Sequence, residues 1–135
     1  MLLRPDINLD LLLSFPAAQS RHWLLRRNTL LDQGGFSEAA GTAFELEYQL
    51  RLVEQYGLAS IGHISEPLLT SAVFALQDNP DEQQVIQQHL QVRGYPDAVI
   101  NSHLPGRYQL DYHHTLQASV SILVVVKDQL VQTQR

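Results

Sequence analysis

Cysteine is missing from this chain altogether, and lysine occurs once, at Lys127. The first absence excludes disulfides, thiol nucleophiles, Cys-ligated zinc and iron–sulfur clusters together. With no oxidative framework to point to secretion, the cytoplasm is the expected compartment. A long apolar run is also missing: the longest, "ILVVV" at 122–126, falls far short of the ~18 residues that suggest a membrane span. Near the N-terminus, "LLLSF" follows Asp6 and Asp10 with only Arg4 before it, which does not fit a cleaved secretory leader. No G-x-S-x-G, H-E-x-x-H or G-x-G-x-x-G motif occurs. "GLASIGH" at 57–63 spaces two glycines like a phosphate loop, but His63 and Ile64 stand where Lys and Ser or Thr are needed. It reads as a turn between helices.

What remains is a folding chain with a neutral surface. At 135 residues, 44% hydrophobic and 17% charged, it suits a single domain over 1–135 that buries a core without a metal or disulfide. Fifteen glutamines supply much of the polar surface. A net charge of −5 argues against a general nucleic-acid binder. The charge is uneven, however. Residues 1–30 hold four Arg against two Asp, a net of +2, which leaves −7 for the rest.

Apolar spacing predicts helices over 16–32 and 37–56, the second with two adjacent apolar rows and so the central one. Ser65 and Pro67 begin a buried helix through Leu76, and Asn79-Pro80 begins another over 80–93, whose narrow stripe is Val85, Ile86, His89 and Leu90. A short helix is expected near 96–104. The pattern then changes. Tyr108, Leu110 and Tyr112 alternate with Gln109, Asp111 and His113, which is strand period. "VSILVVV" at 120–126 is β-branched and continuous, a second strand buried on both faces or at an interface. The expected fold is α+β, four to five helices followed by a small C-terminal antiparallel sheet. The alternative is all-α with a long C-terminal helix. Leu46, Leu50, Val53, Leu69, Val73 and Leu76 are the expected core.

Three groups of residues invite a functional reading. Arg21, His22, Trp23, Arg26 and Arg27 form a basic stretch around the single tryptophan, a pattern that suits a contact with an acidic partner surface or with phosphate. Asp111 and His113 share one face of a strand and make a polar pair. They supply two ligands where zinc needs three or four, and the spacings to His63, His103 and Glu66 match no metal motif. Val120, Ile122, Val124 and Val126 belong to a strand without charge, Pro or Gly, an aggregation hazard unless covered. A second copy of the chain covers it most simply.

The sequence therefore points to a small non-catalytic protein-binding module, an adaptor, chaperone or regulatory subunit, that forms a homodimer and needs no cofactor. One alternative is a DNA-binding regulator of winged-helix-like plan. Against it, helix 80–93 has Arg93 as its one Lys or Arg and places Asp81 and Glu82 at the end that would read bases. A second is a small-ligand or metal-dependent enzyme that uses the histidines.

Overall fold

The structure, a computed structural model, describes residues 6–64, 66, 68–72, 75–113 and 121–122. Among them, five α-helices precede a two-stranded antiparallel sheet. They are α1 (Leu9–Ser14), α2 (Pro16–Gln19), α3 (Arg27–Asp32), α4 (Phe44–Tyr56) and α5 (Pro80–Val92), followed by β1 (Val99–Leu104) and β2 (Arg107–Asp111). The expected α+β plan holds, helices first and sheet after.

α5 follows its local signals closely. Asn79 Oδ1 accepts from the Asp81 amide at 3.0 Å, and Pro80 fills the first position. At the other end Gly94 adopts φ 91°. Its amide bonds Gln91 O at 3.0 Å and the Tyr95 amide bonds Leu90 O at 2.9 Å, the paired bonds of a Schellman stop. Val85, Ile86, His89 and Leu90 are buried, the stripe expected from the sequence. His89 Nδ1 lies 2.5 Å from Glu54 Oε1, so its buried ring is paired with α4.

The central helix is shorter than the expected 37–56. Glu38–Ala43 form a 3-10 turn broken at Gly41, with φ 52° and ψ −125°. A Cβ at Gly41 would sit 2.5 Å from Asp81 Oδ2, so a glycine is required both for the backbone angle and for the approach of α5. Asp81 Oδ2 accepts from the Thr42 amide at 2.8 Å and from Thr42 Oγ1 at 2.7 Å.

Three expected helices fail, each for a visible reason. The helix over 16–32 splits into α2 and α3 because side chains take its carbonyls. Trp23 Nε1 donates to Gln19 O at 3.1 Å, and Gln49 Nε2 donates to Ser20 O at 3.1 Å. A continuing helix would have given those acceptors to the amides of residues 23 and 24. Residues 66, 68–72 and 75–79 form no helix. The path is tethered instead, with His63 Nδ1 2.9 Å from Asp6 Oδ1 and Ser71 Oγ 3.3 Å from His22 Nε2. An extended chain covers about twice the distance per residue that a helix does. Leu69 is consequently 64% exposed and Leu76 is exposed too, which corrects their place in the expected core. Val73 lies outside the described residues. Finally, 99–104 is β1 rather than part of a helix. It pairs with β2 in the register Val99↔Asp111, Ile100↔Leu110 and Ser102↔Tyr108, around the Pro105-Gly106 turn. Among the described residues, β2 thus finds its partner before it in sequence, while most of the expected partner strand at 120–126 lies outside them.

Leu46, Leu50 and Val53 are buried as expected. The core gathers Leu12 and Leu13 of α1, Ala40, Ala43, Leu46 and Leu50, Val85, Ile86 and Leu90 of α5, and Ala98 and Tyr108 beside and on the hairpin. Tyr108 reaches through to the start of α5. Its hydroxyl donates to Glu82 Oε2 at 2.8 Å and accepts from the Asn79 amide at 3.1 Å. Asp78 Oδ1 accepts from Ser102 Oγ at 2.7 Å and from the Gly106 amide at 2.9 Å.

These bonds make the first turn of α5 pH-sensitive. The Ser102 hydroxyl and Gly106 amide hold the Asp78 carboxyl below the ordinary aspartate value of 3.8, and the Thr42 hydroxyl and amide do the same for Asp81. Burial pushes Glu82 above its ordinary 4.5, opposed by the bond from Tyr108. A depressed carboxyl contributes stability above its unfolded value and loses it as pH falls through the folded one. A raised carboxyl does the reverse, and its penalty is relieved on acidification. The melting temperature should therefore drop below pH 3.8, where the two aspartates titrate. Asp78→Asn with Asp81→Asn should lower the melting temperature at neutral pH and shrink that acid drop. An acid limb parallel to that of the unmutated chain would show that these bonds do not link stability to pH.

Candidate protein-contact site

Breaking the helix at Ser20 turns residues 20–26 into an irregular strap across α4. His22 adopts φ 64°, a left-handed conformation uncommon for a residue other than glycine. Gln49 fixes the start of the strap through Ser20 O, and the Trp23 indole is tied back to Gln19 O. Leu24 is left 88% exposed, and Arg26 and Arg27 are exposed and make no ion pair among the described residues.

Under the strap lies a cleft of about 190 Å³ lined by Trp23, Leu25, Phe36, Glu45, Tyr48 and Gln49. Glu45, Tyr48 and Gln49 are three and four residues apart, so they form one face of α4. Phe36 meets Phe44 and Tyr48 edge-on, with ring centroids 5.1 and 5.6 Å apart. The loop that carries Phe36 is anchored by Arg51, whose guanidinium donates to Gln33 O at 2.6 Å and to Gly35 O at 2.7 Å. Arg51 Nε also lies 3.1 Å from Glu47 Oε1, an ion pair by distance although not aligned as a hydrogen bond. Burial raises Glu47 while Arg51 pulls it down, and burial raises the Tyr48 phenol, which stays neutral at physiological pH.

Gln49 is the unusual wall. It is 1% exposed, its Nε2 donates to Ser20 O, and its Oε1 has no partner among the described residues. A second hollow, about 480 Å³, opens between Thr29, Asp32, Tyr56, Ala59 and Ser60. Two of its hydroxyls are already engaged: Tyr56 accepts from Gln33 Nε2 at 2.7 Å, and Ser60 Oγ donates to Gly57 O at 2.7 Å. The smaller cleft holds the unpaired buried group.

The residues singled out from sequence separate into sets. Trp23 lines the cleft, and the exposed Arg26 and Arg27 follow it in the chain. His22 contacts Ser71, and Arg21 lies close enough to Glu82 to draw that carboxyl's pKa down against burial. Asp111 and His113 do not share a strand face, because β2 ends at Asp111 and His113 turns to φ 44°. Asp111 Oδ1 accepts from the His113 amide at 3.0 Å, and Oδ2 lies 3.7 Å from His113 Nε2. This exposed local turn is joined by no third ligand in a metal-sized group among the described residues. Of the proposed dimer residues, Ile122 is 83% exposed, while Val120, Val124 and Val126 lie outside the described residues. Leu25, Phe36, Glu45, Tyr48 and Gln49 were not singled out. The available signal was Gln49 itself, an amide between Leu46 and Val53 on the inner face of α4.

In comparisons with known proteins, no family model, no curated protein and no solved structure matches the chain. Among the described residues no helix is long and apolar enough to cross a membrane.

Gln49→Leu should leave the buried Ser20 carbonyl unpaired, at a cost of roughly 1–3 kcal/mol, and release the strap. Trp23, the only tryptophan, reports this directly: its emission should shift to the red as the indole gains water. Unchanged emission in the folded variant would mean that Gln49 does not hold the strap.

Proposed function

We propose that this chain is a small non-catalytic protein-binding module, an adaptor, chaperone or regulatory subunit, whose contact surface is the strap over residues 20–26 together with Arg27 at the start of α3. The observation that supports this most is Leu24, 88% exposed on a strap that side-chain bonds from Trp23 and Gln49 hold in place. An apolar tip followed by two arginines that make no ion pair among the described residues is the composition of an interface anchor with a charged rim. A cytoplasmic location and a homodimer formed through residues 118–131 belong to the same reading. The exposure of Ile122, 83%, supports that reading.

The winged-helix alternative draws on the hairpin that follows α5. Its difficulty is chemical. The exposed residues of α5 include Gln84, Gln88 and Gln91, and its N-terminal carboxylates are bonded to Thr42 and Tyr108. A helix that reads a DNA groove presents cations and free donors there.

Two measurements test the proposal. Arg26→Glu with Arg27→Glu should leave the melting temperature unchanged and abolish capture of the partner in an affinity pull-down quantified by mass spectrometry. Undiminished capture would remove the strap as the contact surface. Light scattering at micromolar concentration should give twice the 15.3 kDa chain mass, and a clean monomer would remove the dimer.

A further inference from the structure

The cleft beneath the strap has a one-sided chemistry. Its indole N–H is engaged by Gln19 O, and one of the two Gln49 amide N–H groups by Ser20 O. The α4 wall offers one reachable acceptor, the half-exposed Glu45 carboxylate, which makes no ion pair among the described residues. Gln49 Oε1 also lacks a partner among the described residues, but it is buried within the wall. The remaining walls are three aromatic rings, Trp23, Phe36 and Tyr48, closed by Leu25. An occupant that satisfies this lining brings positive charge or N–H groups and tolerates apolar contact. A carboxylate or a phosphate would be repelled by Glu45, and a purely aliphatic group would bring that carboxylate no counter-charge.

Aromatic faces attract cations through the ring quadrupole, and walls of this kind recognise alkylammonium groups. A carboxylate at the rim adds the complementary charge. The volume of about 190 Å³ admits one such head group and not an extended ligand. The rings are also preorganised, since Trp23 is hydrogen-bonded and Phe36 is braced edge-on against Phe44 and Tyr48. Arg51 lies over the Tyr48 ring at 5.3 Å, but its charge is offset by Glu47.

We infer that the cleft is an ammonium-binding site, and that it receives a lysine side chain, plain or methylated, of the protein that docks on the strap. The identification of the occupant as a partner's lysine rests on the protein-binding reading. The ammonium chemistry rests on the cleft alone. Trp23 then recognises cation and partner together, while Arg26 and Arg27 meet acidic residues beside that lysine.

The experiment follows Trp23 emission in the full chain. The probe is a Gly-Ser-Lys-Ser-Gly peptide with its lysine trimethylated. Its control is the same peptide with a tert-butyl group in place of the trimethylammonium, equal in shape and uncharged. The charged peptide should shift the emission saturably and bind about tenfold tighter than the isostere, the scale of a cation held by aromatic faces. Glu45→Gln, a half-exposed substitution that the fold accommodates, should reduce that preference severalfold, and Phe36→Leu should weaken the charged probe. Equal binding of the two peptides, or no saturable shift, would overturn the ammonium site. Choline tests the source: if it binds as tightly as the peptide, the site serves a free small ammonium and the lysine assignment falls. If the probes fail while Arg26→Glu with Arg27→Glu still abolishes partner capture, the cleft chemistry is wrong and the protein contact stands.

Discussion

The carboxylate of Asp81, seated against the bare backbone of Gly41, is the contact on which the arrangement of this protein depends. It accepts both the amide and the hydroxyl of Thr42 and thereby fixes α5 against the entry to α4. The neighbouring residues repeat the device toward other elements. Asp78 holds the Ser102 hydroxyl and the Gly106 amide of the hairpin, and Asn79 and Glu82 hold the Tyr108 hydroxyl. Four residues within five positions, Asp78, Asn79, Asp81 and Glu82, thus join the central helix, the last helix and the sheet. A two-stranded hairpin is marginal by itself, and here its tyrosine and its turn are both bonded to the helical part. Gly41 and Gly106 carry this junction because each occupies positive φ where a Cβ would press on a neighbour, Asp81 in one case and Gln77 O in the other.

A second constraint shapes the opposite side of α4. Backbone carbonyls at Gln19 and Ser20 accept from side chains, and the helix that local sequence favours stops there. Each substitution of a side-chain donor for a backbone donor is close to neutral in bond strength. It exchanges a continuous helix for a strap. The strap exposes a leucine and two arginines and roofs an aromatic cleft, so the feature proposed as functional and the departure from local propensity are the same feature. A sequence whose local and global preferences disagree at one place commonly does so where binding demands it.

This explains which parts of the fold were legible. α5 was, because its start and stop lie in contiguous residues: Asn79-Pro80 at one end and Gly94 at the other. The body of α4 was, because Leu46, Leu50 and Val53 repeat at helical spacing. The strand at 107–111 was, from its alternation. The break at 20–26 was not, since the competing donor, Gln49, lies 29 residues from the carbonyl it takes. Nor was the path through 65–79, whose Ser65-Pro67 start signal is local while its tethers reach to Asp6 and His22. β1 was read as helix because "VINSHL" has no strong period, and its state is decided by pairing with β2. Of the candidate site, Trp23 and its arginines were legible as a composition. The α4 wall was not, because Tyr48 and Gln49 look like ordinary positions until the strap is laid over them.

Gln49 sets the energetic argument about that wall. An amide on the buried face of the central helix loses its water and recovers one hydrogen bond through Nε2, leaving Oε1 without compensation among the described residues. An unpaired buried acceptor costs on the order of 1–3 kcal/mol. Holding the strap requires a donor at this position but not an acceptor. An arginine or lysine would supply a donor without an orphaned oxygen. Either would also place positive charge in the wall of the cleft. An amide is the side chain that can hold Ser20 O and leave the wall of the cleft free of cations. The residue at 49 therefore reconciles the strap above it with the ammonium chemistry proposed for the cleft, and the uncompensated oxygen is what that arrangement costs in stability.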